Sequence, residues 1–270
     1  SLTVQAFVDT PGVGAVVYGT LGGLDSWGGA VNNLGQAVGW SRMSDDHYHI
    51  EAFRSDEEGA LLPLGMIDGW EPSYFYSEAT GINDAGWVVG TALMDYSVSR
   101  AFLYSPATGM EDLGTLGGDG SWASGINEAG QVVGGSGIDD RHARAFLYTP
   151  GVGMIDLGTL GDPDVNPQVY SSARAINESG WVVGLSTTDD PGVTHAFLYR
   201  PGEGMIDIHT LGSGGSVAVA INDAGWVVGQ AEGGSFVYYD GAMHALDDLL
   251  VPDSGWTITA VAGINHRGMI

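Results

Sequence analysis

The sequence contains no cysteine and no lysine. Without Cys there is no disulfide framework and no thiolate chemistry, so core packing and topology must hold the fold. Without Lys, eight Arg residues face 33 acids, for a net charge of −25. Such a surface offers no compensating patch to a phosphate backbone or an anionic bilayer. Nucleic acid is therefore excluded as a partner, and neutral or cationic partners are favoured. No apolar run approaches the roughly 20 residues that a spanning helix needs, so a soluble chain without membrane insertion is expected. Helical periodicity is missing almost everywhere. Catalytic signatures are missing too: there is no GxSxG elbow, no HExxH, no phosphate-cradling GxxxxGK[ST], and no SxDxGxTW box. The chain opens at Ser1 without a signal-type stretch, as expected of a processed chain whose targeting segment has gone.

What the sequence does have is glycine, 45 residues of 270, and repetition. One phrase occurs six times: VNNLGQAVG from Val31, INDAGWVVG from Ile82, INEAGQVVG from Ile126, INESGWVVG from Ile176, INDAGWVVG from Ile221 and INHRGMI from Ile264. Its Asn recurs every 43 to 51 residues, at Asn32, Asn83, Asn127, Asn177, Asn222 and Asn265. A second phrase lies between the copies: QAFVD at Gln5, EAFRS at Glu51, RAFLY at Arg100 and Arg144, HAFLY at His195, and SFVYY at Ser235. A third, of the type GMxDLGTLGG, follows the best copies, as at Met110 and Met154.

Each unit divides into four short strands. In the third copy these are SWASGIN, with small residues Ser121, Ala123 and Gly125 suited to a crowded innermost strand; QVVGGS after a tight Asn-x-x-Gly turn; ARAFLYTP; and MIDLGTL after a PGxG turn. β-branched and aromatic residues mark the strands, and Gly marks the turns. Four strands per unit of about 45 residues predicts an all-β, six-bladed β-propeller forming a single domain over 1–270. The chain starts and stops in the middle of a unit. The reading is therefore that N- and C-terminal strands share one blade and close the ring, removing exposed sheet edges.

At His195-Ala196-Phe197, with INESGWVVG before it and GMIDIHTLG after it, the chain resembles the extracellular HAF-repeat family. The resemblance spans essentially the whole sequence. It implies a secreted or cell-surface protein, and it implies no reaction.

Repeated residues are read as structural. The six Asn residues should bond turn backbone, and Asp112, Asp156 and Asp207 neighbouring backbone. His195 is placed at the start of an edge strand and is read in the same way. Function is expected where the repeat is broken. The connection into the second, fourth and sixth units is longer than its counterparts: Asp68 to Gly81, Gly161 to Ala175, and Leu249 to Gly263. In a propeller these connections share an end with the loops carrying Asp45-Asp46-His47, Asp95-Tyr96, Asp139-Asp140 and Asp189-Asp190. The opposite, tight-turn end is expected to be inert.

Aromatic rings beside carboxylates and amides recognise sugars, the ring covering the apolar sugar face. The candidates are Trp70, Tyr74, Tyr76, Trp27, Trp122 and Tyr170, with packing as the competing role for Trp27 and Trp122. Asp162-x-Asp164-x-Asn166 begins like a calcium loop. Its sixth place is Pro167 and its twelfth Ala173, so an Asp/Asn-rich turn is the competing reading and no cofactor is required. Three functions stay open. The first is an extracellular module binding a glycan or matrix component through an acidic, aromatic face. The second is a polysaccharide-degrading enzyme on the same face, with two carboxylates or with Tyr74 or Tyr76 beside His47 or His49. The third is a filament subunit exchanging strands between copies rather than closing as a monomer.

Overall fold

The computed structural model describes residues 4–10, 12, 14–44, 49–56, 58–67, 75–95, 98–252 and 255–270. The chain is all-β, and the first five repeats each form a four-stranded antiparallel sheet running in chain order. In the third repeat the strands are Ser121–Ile126, Val132–Gly137, Ala143–Thr149 and Gly153–Asp156. In the fourth they are Ser171–Ile176, Val182–Thr187, Thr194–Arg200 and Gly204–Asp207. The fifth repeat runs from Ser216–Ile221 to Ala242–Ala245 in the same order. The first two sheets are joined by a short parallel pairing, His49 with Phe75 and Ile50 with Tyr76.

The chain divides into two compact units. One comprises Ser1–Thr115, Asp119–Val132 and Thr149–Met154; the other comprises Leu116–Gly118, Val133–Tyr148 and Ile155–Ile270. In the first, Phe102, Val38, Val88, Ala52 and Ala92 form the dry centre of the core. In the second, Phe197, Val133, Val182, Ala145 and Ala173 form one cluster, and Phe236, Leu198, Ile208 and Val227 another.

The phrases of the repeat are coupled by packing. The Phe of each x-Ala-Phe phrase from Phe53 to Phe236 is fully buried. Its ring lies over the Gly of the neighbouring VVG strand: a Cβ on Gly184 would sit 2.1 Å from the Ser172 carbonyl oxygen and 3.0 Å from the Phe197 ring. Only Gly fits there, because a methyl group would have to displace backbone. The Ala before each Phe from Phe53 to Phe197 donates its N–H to the serine that opens the next repeat, as from Ala52 to Ser77 and from Ala145 to Ser171, both at 2.9 Å. These serines are buried, and the Ser171 hydroxyl in turn donates a hydrogen bond to Gly158 O at 2.5 Å. Ser26 makes the matching bond to Gly19 O.

The Asn turns behave as expected and do more. Asn177 Oδ1 accepts the Trp181 N–H at 2.9 Å, and Gly180, at φ +74, closes the turn. The same amide reaches the neighbouring repeat: Asn177 Nδ2 donates to Asn222 O at 3.1 Å, and Asn222 Nδ2 to Asn265 O at 3.2 Å. In the first unit Asn32 reaches Asn83 O and Asn83 reaches Asn127 O in the same way.

Ala6–Thr10 and Gly14–Gly19 form a two-stranded sheet, and residues 255–270 carry no strand. The C-terminal segment still makes the contacts of a sixth repeat. Ile258, Val261 and Ile264 pack against Val228, Val237 and Leu246, and the Asn265–Gly268 turn is formed.

Candidate loop-end binding site

Antiparallel order puts the loop between strands two and three of a sheet at the same end as the connection into the next sheet. Direct bonds join these segments: Gly118 N to Gly137 O and Gly161 N to Thr187 O, both at 3.0 Å. Asp162 N adds a bond to Asp189 Oδ1 at 2.7 Å. The x-Ala-Phe phrase contributes its variable first residue here. Arg100 reaches Asp119 O and lies 3.6 Å from Asp112, while Glu51 accepts the Gly65 N–H. Burial raises the Glu51 carboxyl above its usual range, with the Gly65 N–H and His49 opposing. His195 is on an interior third strand, not an edge. It bonds Asp207 at 2.7 Å and stacks on His209 with ring centroids 4.3 Å apart.

The long connection into the fourth repeat is shaped by its own side chains. Asp162 Oδ1 accepts the Asp164 N–H at 2.9 Å, and Asp162 O accepts the Asn166 N–H at 2.8 Å. Asn166 is buried; its Nδ2 donates to Thr188 O at 2.9 Å and its Oδ1 accepts the Gln168 N–H at 3.1 Å. The Asp-x-Asp-x-Asn run is thus a hydrogen-bonded Asx turn. Its Asp162 and Asn166 side-chain oxygens face backbone amides. Among the described residues no group of three His, Cys, Asp or Glu side chains could hold a metal.

His142 ties this connection to the loop before the third strand. Its Nδ1 lies 2.8 Å from Asp139 Oδ2 and its Nε2 2.9 Å from Pro167 O. Acceptors on both nitrogens favour the imidazolium, which alone donates from both. The Asp139 hydrogen bond raises the His142 value above 6.5, Pro167 O adds to it, and Arg144 opposes it. The same bond, with the N–H groups of Arg141 and His142, lowers the Asp139 carboxyl to about 2. Arg144 is 8% exposed and donates from Nη1 to Val169 O at 2.8 Å.

Between the two segments lies an open cavity of about 660 Å³, whose walls include Arg141, His142, Gln168 and Tyr170. Tyr170 is 40% exposed, and its backbone is fixed to Thr187 through a donated N–H at 2.8 Å and an accepted N–H at 2.9 Å. An aromatic ring, a primary amide and a guanidinium thus face a common space on a braced frame.

Of the aromatic candidates among the described residues, Tyr170 alone lines this cavity. Trp70 and Tyr74 lie outside the described residues, as do Asp45, Asp46, His47 and Tyr96. Trp27 is 57% exposed and pairs with Trp40 across the first sheet, which is not a core role; Trp122, at the equivalent place, is half-buried. Tyr76 is half-buried and donates to Glu78 Oε2 at 2.8 Å, while His49 meets Phe75 edge-on at 5.0 Å. Met43, Glu51 and Phe75 line a smaller depression of about 210 Å³ beside His49. Sequence reasoning passed over Arg141, His142, Arg144 and Gln168. The available signal was two Arg and a His within four residues of a chain with four acids to every base.

No protein-family model and no curated protein matches the chain. Solved structures do resemble it. TolB from Acinetobacter baumannii superposes with a TM-score of 0.54 at 12% identity, over 87% of this chain and 56% of that one. A prolyl endopeptidase superposes with a TM-score of 0.51 at 12% identity, over 86% of this chain and 37% of that one. This chain therefore spans about half or less of the length of these structures. Both are β-propeller proteins, and at such identity the likeness shows the fold alone.

Proposed function

We propose that the chain is an extracellular, six-bladed β-propeller that binds a glycan or matrix component through its loop end. The observation that carries the binding role is the cavity lined by Tyr170, Gln168 and Arg141. A ring that stacks on a sugar face, an amide and a guanidinium that bond hydroxyls are the elements of a carbohydrate site. Six Asn turns of one sequence pattern, the last packed as a sixth repeat would be, support six blades with the terminal segments sharing one. The HAF-type phrases support an extracellular setting.

Immobilised neutral and acidic polysaccharides of microbial and plant origin test the reading. Binding to at least one of them, weakened about 10-fold by Tyr170→Ala, is expected, a loss of about 1.4 kcal/mol. Failure to bind any member of the panel would overturn it, and release of new reducing ends would replace a binding module with an enzyme.

A further inference from the structure

Resting on the glycan reading, we infer that the cavity beside Arg141 selects a sugar carrying a carboxylate, a hexuronate residue, over its neutral counterpart. The chain as a whole is strongly acidic, yet among the described residues no acidic side chain lines this cavity, whereas Arg141 and His142 both do. Other depressions follow the composition: one is lined by Asp56 and Glu58, another by Glu232, Asp247 and Asp248. The basic lining is therefore local and runs against the average of the surface.

Arg42, Arg100 and Arg200 each have a carboxylate within 4.0 Å. Arg144 is more than nine-tenths buried, and its bond to Val169 O engages a neutral acceptor on a residue that lines the cavity. Among the described residues no carboxylate is within ion-pair distance of it or of Arg141. A buried cation without a counter-ion is costly, and an anion placed beside it offsets that cost. In the same loop Asp140 does not line the cavity, and Asp139 is engaged by the His142 ring and by the N–H groups of Arg141 and His142. Asp162 is committed to the far end of the connection, where its carboxylate caps Asp164 N.

The roles then divide. Arg141 is exposed, projects from the loop, and carries the planar fork that matches a carboxylate. Arg144 acts from behind the Val169 wall as a fixed positive charge. His142 has both nitrogens engaged, so it positions the two walls and leaves ligand contact to Arg141, Gln168 and Tyr170. The net negative charge opposes long polyanions at a distance. At physiological salt that repulsion is screened beyond about 8 Å, which leaves the contact itself to decide.

Calorimetry on the whole chain with tri-galacturonate and with its fully methyl-esterified form isolates the charge, since esterification keeps the rings and removes the anion. The acid is expected to bind at least 10-fold tighter, and Arg141→Gln to erase that preference while leaving the melting temperature unchanged. Equal affinity for acid and ester would overturn the inference and leave the glycan reading standing. Binding of neither, with no ligand on the wider panel, would overturn both. A neutral-backbone sulfated trisaccharide that binds as tightly as the uronate would show that charge alone is read, and would overturn selection for a carboxylate.

Discussion

The two ends of each sheet are built on opposite rules. At the tight-turn end neighbouring repeats within each unit make the same bond, Asn amide to the next Asn carbonyl, and where a Trp follows the turn it packs onto the next turn glycine. Trp87 packs on Gly130, Trp181 on Gly225 and Trp226 on Gly268. Carboxylates at this end are also committed; Glu128 accepts the Asp84 N–H and Asp223 the Glu178 N–H. Expected to be inert, this end is an aromatic, hydrogen-bonded seam. At the loop end the bridging residue changes from one repeat to the next, through Glu51, Arg100, Arg144 and His195. Constancy at one end holds the sheets together; variation at the other leaves room for a cavity.

This contrast is sharpest in its effect on stability. Gly184→Ala should be the most damaging single change, because its Cβ falls on the Ser172 carbonyl; a loss of about 3 kcal/mol or more in urea unfolding is expected. Asn177→Ala, which orphans the Ser179 and Trp181 N–H groups and removes one of the two bonds to the Asn222 carbonyl, should cost about 2 to 3 kcal/mol in the same assay. Asp164→Ala, on an exposed loop-end residue, should stay within about 0.5 kcal/mol, and a large loss there would break the distinction.

A smaller effect reads the His142 pin directly. In an NMR titration His142 should have a midpoint above 6.5, and Asp139→Asn should bring it back down. The sign follows from linkage. The raised imidazole stabilises the folded loop fully below its ordinary value and stops doing so as pH rises through the raised one. The depressed carboxylate contributes above its ordinary 3.8 and is lost as pH falls toward about 2. The pin is therefore complete between roughly pH 4 and 6.5. A His142 midpoint unmoved by Asp139→Asn would break this part of the comparison.

Much of the fold was legible because the same local physics is written many times. Four strands per unit, the Asn-x-x-Gly turns and the Asp bonds to backbone, such as Asp156 to Gly158 N, follow from short-range pattern. The coupling of Phe to the VVG glycine and of Ala to the next serine was not legible, since each links residues 13 to 26 positions apart through sheet register. The candidate site was readable only in part. Tyr170 stands out as an aromatic in an inserted connection. Arg144, by contrast, occupies a repeat position and looks structural until burial shows that it lacks a carboxylate. The His142 bridge joins segments 25 residues apart, and no spacing rule announces it.

The bond from each Asn to the next turn carries a consequence for how such a chain can be altered. A single unit cut out of the array would leave its serine without the incoming amide and its asparagine without a carbonyl to meet, so isolated units should not persist as folded pieces. Segments beyond the strand ends answer to no such partner. Exchanging the 162–170 connection for one of another length should therefore alter what the molecule recognises while the array beneath it stands.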